Sequence, residues 1–176
     1  MKQLVVAVVI CAALAARATV LVPLDTKALT ARAERIVLAV VESSTAKWSS
    51  DHQAIYTDVT LRVTRAYKGS VKPGDRIVVR REGGERDGLG MRVYGAANFV
   101  VGEEVVVFTE TRGNASWTVG MTQGKLHVTV GNDGKKRVSA SLADVAFTAG
   151  TTAVSKEPRR LDDLEREIRS YVQAGK

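Results

Sequence analysis

The segment from Ala54 to Tyr67 alternates strictly. Val59, Leu61 and Val63 interleave with Asp58, Thr60, Arg62 and Thr64. A period of two predicts a strand with one packed face and one wet face. The preceding run, Arg35 to Glu42, is apolar at both alternating positions, which predicts a strand buried on both sides. Between them Ser43 to Asp51 reads as a polar loop carrying Trp48. Lys68 to Asp75, with Pro73 and Gly74, reads as a turn. Arg76–Arg81, Val105–Glu110 and Trp117–Met121 are predicted as a third, fourth and fifth strand. Lys125–Val130 and Lys135–Ser139 form a hairpin across Gly131-Asn132-Asp133-Gly134.

Two segments carry helical spacing instead. Leu24 to Ala33 predicts a short helix with Asp25 as its N-cap, and Leu24 and Leu29 are placed for a hydrophobic staple. Arg160 to Ala174 puts Leu161, Leu164, Ile168, Tyr171 and Val172 on one stripe. Asp162–Arg166 and Glu165–Arg169 are opposite charges four apart, and Gly175 is placed for a left-handed cap. The fold expected is mainly β: a small five-stranded barrel with an extra hairpin, a short N-terminal helix and a C-terminal amphipathic helix packed on it. The barrel domain spans 19–148, a linker 149–159 and the closing helix 160–176.

The first eighteen residues differ in kind. Lys2 precedes an apolar run from Leu4 to Ala16, and Ala16-Arg17-Ala18 supplies the small residues a signal peptidase requires. Cleavage is expected after Ala18. Arg17 ends the run short of the roughly 20 apolar residues that span a bilayer. Cys11 is the chain's single cysteine, and the bulky Val8-Val9-Ile10 before it does not fit lipoprotein processing. A mature chain beginning at Thr19 has neither disulfides nor thiol chemistry and belongs outside the cytoplasm, secreted or periplasmic, with no stable membrane span. Net charge is +7, and loss of Lys2 and Arg17 lowers it by two. That excess suits an acidic partner and equally suits plain solubility.

The order of elements resembles a known family. Ala33-Glu34-Arg35-Ile36-Val37-Leu38-Ala39-Val40-Val41 resembles the opening of the netrin/tissue-inhibitor-of-metalloproteinase module. Val59 to Gly69 is similar to that module's second strand and its Lys-Gly exit, Pro73-Gly74-Asp75 leads into the third strand, and Val101 to Phe108 into the fourth. The resemblance covers roughly Ala33 to Met121. It is closer still to a group of uncharacterised exported bacterial proteins, through Glu82-Gly83-Gly84, Gly90 to Phe99, and Gln123-Gly124-Lys125. It implies an OB-like barrel, and fold alone does not carry function. The animal inhibitors chelate a protease zinc through a disulfide-tied N-terminal cysteine, which a chain starting at Thr19 lacks.

Candidate chemistry is sparse. His52 lies beside Asp51 in the polar loop, and His127 shares a polar face with Lys125 and Thr129. Two distant histidines and no cysteine fall short of a zinc site, so no metal or other cofactor is expected. No Gly-x-Ser-x-Gly elbow marks a nucleophile, and Glu103 and Glu104, being adjacent, point apart. The segment Glu82 to Phe99 is glycine-rich. Gly88-Leu89-Gly90 opens a dinucleotide-type pattern, but Val93 holds the third glycine position and no helix follows. A long loop of this kind is a candidate binding site, with Gly83, Gly84, Arg86, Arg92, Tyr94, Gly95 and Phe99 as its residues. The alternative is a connection needing unusual backbone angles. Lys125, Lys135, Lys136 and Arg137 read as a basic, solvated edge. Tyr56, Tyr67 and Trp48 are the aromatics an OB-like barrel offers to nucleic acid, but export removes that partner, and none is expected. The expectation is a non-enzymatic exported binding module with a protein partner. The alternatives are a regulator or inhibitor of a secreted protease, and a hydrolase with no catalytic residues assigned.

Overall fold

The computed structural model describes residues 19–142, 145–148 and 157–175. The predicted leader, its cleavage positions Ala16 and Ala18, Cys11 and most of the predicted linker lie outside the described residues. The elements run β1 (Thr19–Leu21), α1 (Thr26–Arg32), β2 (Arg35–Trp48), β3 (Ile55–Lys68), β4 (Arg76–Glu82), β5 (Gly84–Arg86), β6 (Leu89–Met91), β7 (Glu104–Arg112) and β8 (Ala115–Thr118). A 3₁₀ turn (Met121–Gly124) follows, then β9 (Lys125–Val130), β10 (Lys136–Ala140), β11 (Val145–Phe147), β12 (Arg159–Arg160) and α2 (Leu161–Ala174).

The protein is mainly β. One sheet orders its strands β12-β10-β9-β7-β2-β3-β4-β8, and β8 pairs back onto β7, so five strands close into a ring. The closure between β4 and β8 is parallel and rests on one pair, Arg80 with Trp117. Because successive side chains of a strand point to opposite faces, β2 serves two cores at once. Val37, Ala39 and Val41 join Val59, Leu61, Val79 and Val107 inside the ring. Ile36 and Leu38 face outward beside Phe108 of β7, where Leu29, Leu161, Leu164 and Ile168 cover them. The doubly apolar pattern of β2 therefore has its cause: ring on one side, helices on the other.

Both helices follow their sequence signals, with two corrections. Asp25 accepts the Ala28 amide at 2.7 Å, and Leu24 and Leu29 share one buried cluster. On α2, Leu161, Leu164 and Ile168 are buried and Val172 packs against them. The expected Asp162–Arg166 pair is not formed, since Arg166 binds Asp163 and Asp162 takes Arg160. Glu165 does meet Arg169, at 4.0 Å, and is also held by Arg65 and by the Tyr67 hydroxyl at 2.6 Å, which pins α2 to β3. Gly175 is not left-handed (φ −94°), because its amide simply returns to the Tyr171 carbonyl as in a continuing helix.

Other boundaries move for local reasons. Ser43 to Trp48 is strand rather than loop, paired residue for residue with Ile55 to Thr60. This stretch is largely exposed, so polar residues satisfy it, and no apolar alternation marks it. The fifth strand stops at Thr118, because Gly120 turns left-handed (φ 61°) where a Cβ would lie 2.6 Å from Leu24 Cδ1.

Candidate functional site

The glycine-rich segment folds back as the β5–β6 hairpin instead of forming an open loop. Gly83 is buried and left-handed (φ 81°), and its carbonyl accepts the Thr57 hydroxyl at 2.6 Å. A Cβ there would sit 2.5 Å from the Met91 carbonyl oxygen, and one on Gly84 would sit 2.4 Å from Thr57 Oγ1. These two glycines permit close backbone packing. Phe99 is likewise structural, part of the ring core. Arg86 is exposed at the hairpin tip and pairs with Asp87 at 3.2 Å. Arg92 stacks on Tyr94 with its guanidinium 4.9 Å from the ring centre. The Tyr94 carbonyl accepts the Thr19 hydroxyl at 2.6 Å, and the Gly95 carbonyl accepts the Thr122 amide at 2.9 Å. The seven predicted residues thus occupy separate places: two scaffold glycines, one core ring, one hairpin tip, and a trio beside β1.

The tip of this hairpin borders a cleft that the sequence did not single out. The cleft has a volume of about 470 Å³, and its walls include Lys47, Trp48, Asp51, Tyr56, Arg80 and Asn114. Trp48, at the end of β2, donates its indole N–H to Asp87 at 2.8 Å and stacks on His52. Tyr56 meets Trp117 edge-on with centroids 5.7 Å apart. Arg80 lies over Tyr56 at 5.9 Å and Arg112 over Trp117 at 4.8 Å. Asp58 grips Arg80 in a two-pronged ion pair (2.7 and 3.0 Å) and takes Lys47 at 3.1 Å. The hydrogen bond from Arg80 holds the Asp58 carboxyl below its usual range. Aromatic faces fixed by arginines that are themselves fixed make a preorganised contact surface. The sequence trace of this surface is its alternation: Tyr56 and Asp58 are outward positions of β3, and the register sets Asp58 opposite Arg80.

A second cluster corrects the basic-edge reading. Lys125 is 1 % exposed, not solvated. Its register opposite Val107, with His127 opposite Val105, turns both side chains to the same face as the ring core. Lys125 Nζ lies 2.8 Å from Glu103 Oε1 and 5.3 Å from the Phe99 ring centre. His127 Nδ1 is 2.8 Å from Glu103 Oε2. Burial acts to raise the Glu103 pKa, yet the hydrogen bonds from His127 and Lys125 win and hold it down at about 2. Burial lowers the Lys125 pKa against the pull of Glu103. Lys136 is paired too, with Glu104 at 2.6 Å. Among the described residues no serine or threonine hydroxyl bonds to His52 or His127, and no group of three metal-ligating side chains gathers. Among the same residues no helix is long and apolar enough to cross a membrane.

Comparison of the chain with known proteins matched no family model, no curated protein and no solved structure.

Proposed function

We propose that this chain is an exported, non-enzymatic module, secreted or periplasmic, which binds a protein partner through the cleft walled by Trp48 and Tyr56 together with the Trp117 ring that adjoins Tyr56. In this reading the five-stranded ring is a small OB-like barrel of the netrin-like kind, and the leader leaves after Ala18. The observation that carries the reading is the Tyr56–Trp117 pair with Arg80 and Arg112 laid on its rings. Tryptophan, tyrosine and arginine are the residues that dominate binding energy at protein interfaces, and their value rises when they are already held in place. Trp48 and Asp87 brace the rim by linking two hairpins.

The test is affinity capture from the native secretome with tagged Thr19–Lys176 and its Trp117→Ala variant, followed by affinity measurement on the purified partner. A matching thermal midpoint shows that the variant is folded. Loss of an aromatic anchor costs about 2 kcal/mol, so binding should weaken roughly 30-fold. Equal capture by both proteins overturns the site. A partner protease whose activity falls on binding moves the function to the inhibitor alternative. Turnover across a hydrolase panel that His52→Ala or His127→Ala abolishes overturns the non-enzymatic reading.

A further inference from the structure

A separate groove lies at the opposite end of β3. It opens between α1, the last turns of α2 and the β3 exit, with a volume of about 730 Å³, within the range of small-molecule sites. Its floor sits on the seam between the two cores. Tyr67 and Val172 pack against the helix-side cluster, while Ala66 and Val71 pack against the ring. The apolar lining is therefore fixed from both sides.

The groove's charge is one-sided. Lys27 and Lys68 line it, and among the described residues no aspartate or glutamate does. The nearby acids are engaged: Glu165 and Glu167 accept from the Tyr67 and Tyr171 hydroxyls (2.6 and 3.3 Å), and Asp25 accepts the Ala28 amide (2.7 Å). Lys68 Nζ donates to the Thr30 carbonyl at 2.8 Å and reaches that of Ala31 at 3.5 Å, which anchors the ammonium at the groove wall. An ammonium has three donors, so one proton remains for a ligand. Lys27 is exposed on the first turn of α1 and adds a second cation.

We propose that this groove binds a small amphipathic monocarboxylate. Its apolar chain lies along Ala66, Val71, Val172 and Ala174, and its carboxylate sits between Lys27 and Lys68. An apolar floor with a two-cation rim matches that chemistry and disfavours both a neutral alcohol and an amine of equal length. The site is independent of the protein-binding cleft.

The test is an NMR titration of the exported chain with sodium octanoate below its micelle concentration, with 1-octanol and octylamine as parallel arms. Octanoate should give saturable methyl shifts at Val71, Val172, Ala66 and Ala174, with octanol at least tenfold weaker and octylamine giving no saturation. Lys27→Glu should weaken octanoate at least tenfold, and Ala174→Trp should abolish the shifts by filling the groove. Lys27 and Ala174 are both exposed, and unchanged spectra elsewhere report that each variant is folded. Octanol binding as tightly as octanoate, shifts that fail to saturate or lie outside the groove, or unchanged affinity in Lys27→Glu would each overturn the assignment.

Discussion

Glu103 pairs with Lys125, the most buried charged side chain among the described residues, so Glu103→Gln is an informative single substitution. The native carboxyl has a pKa of about 2 against an ordinary 4.5. At about 1.4 kcal/mol per unit, that depression corresponds to roughly 3 kcal/mol of stability. The sign follows from linkage. A carboxyl depressed in the folded state contributes fully above its unfolded pKa, and the contribution drains away as pH falls from about 4.5 toward 2. The glutamine also leaves Lys125 buried without its counter-charge, and breaking one partner of such a pair costs about 3–5 kcal/mol. Urea unfolding at pH 7 should therefore show Glu103→Gln weakened by about 3 kcal/mol, and its stability should decline less steeply than the parent's between about pH 4.5 and 2, the remaining slope coming from Asp58 and the other depressed carboxyls. Replacing both partners, as Glu103→Gln with Lys125→Met, should restore most of the loss, because no buried charge remains. A Glu103→Gln variant within about 0.5 kcal/mol of the parent at pH 7, or one with the parent's acid slope, would refute this account.

Two further substitutions probe the scaffold. Leu164 is fully buried where α2 covers β2, and Leu164→Ala should cost about 2–5 kcal/mol in urea unfolding. Gly83→Ala must fit a Cβ 2.5 Å from the Met91 carbonyl at a left-handed φ, whereas at Gly88, also left-handed, nothing lies within 4 Å. The first should therefore destabilise clearly more than the second, which costs about 1 kcal/mol in backbone strain, as read from paired thermal melts.

What the sequence discloses is local. The alternation of Val59, Leu61 and Val63, the two apolar faces of β2 and the Asp25 cap are each set by neighbours within a few residues, and each appears as expected. Lys125 is different. Its burial depends on the register of β9 against β7 and on Glu103, 22 residues away, so its own surroundings in sequence present it as one more surface lysine. The aromatic surface at the cleft is hidden for the same reason. Trp48, Tyr56 and Trp117 come from three strands, and the pair Arg80–Trp117 that closes the ring sets Trp117 beside β4. The polar half of β2 escapes detection because an exposed hairpin needs only backbone pairing, which leaves no hydrophobic period.

The geometry of β3 bears on how the two proposed sites relate. Ile55 and Tyr56 stand at its cleft end, and Ala66, Tyr67 and Lys68 at its groove end. At about 3.3 Å per residue the eleven steps from Tyr56 to Tyr67 span roughly 36 Å. Between them Val59, Leu61 and Val63 are each at most 1 % exposed inside a closed ring. A packed core of this kind resists continuous deformation, and a strand hydrogen-bonded on both edges slides only by breaking its whole register. β3 is paired to β2 along its length and to β4 from Tyr56 to Arg62, so no easy slide exists. A carboxylate in the groove therefore has no soft element through which to alter the cleft. The route left open is the Arg65–Glu165–Tyr67 contact, which joins α2 to the groove end of β3 and stops there. The fold thus favours independence of the two proposed sites, the aromatic surface at one end of β3 and the apolar-floored groove at the other.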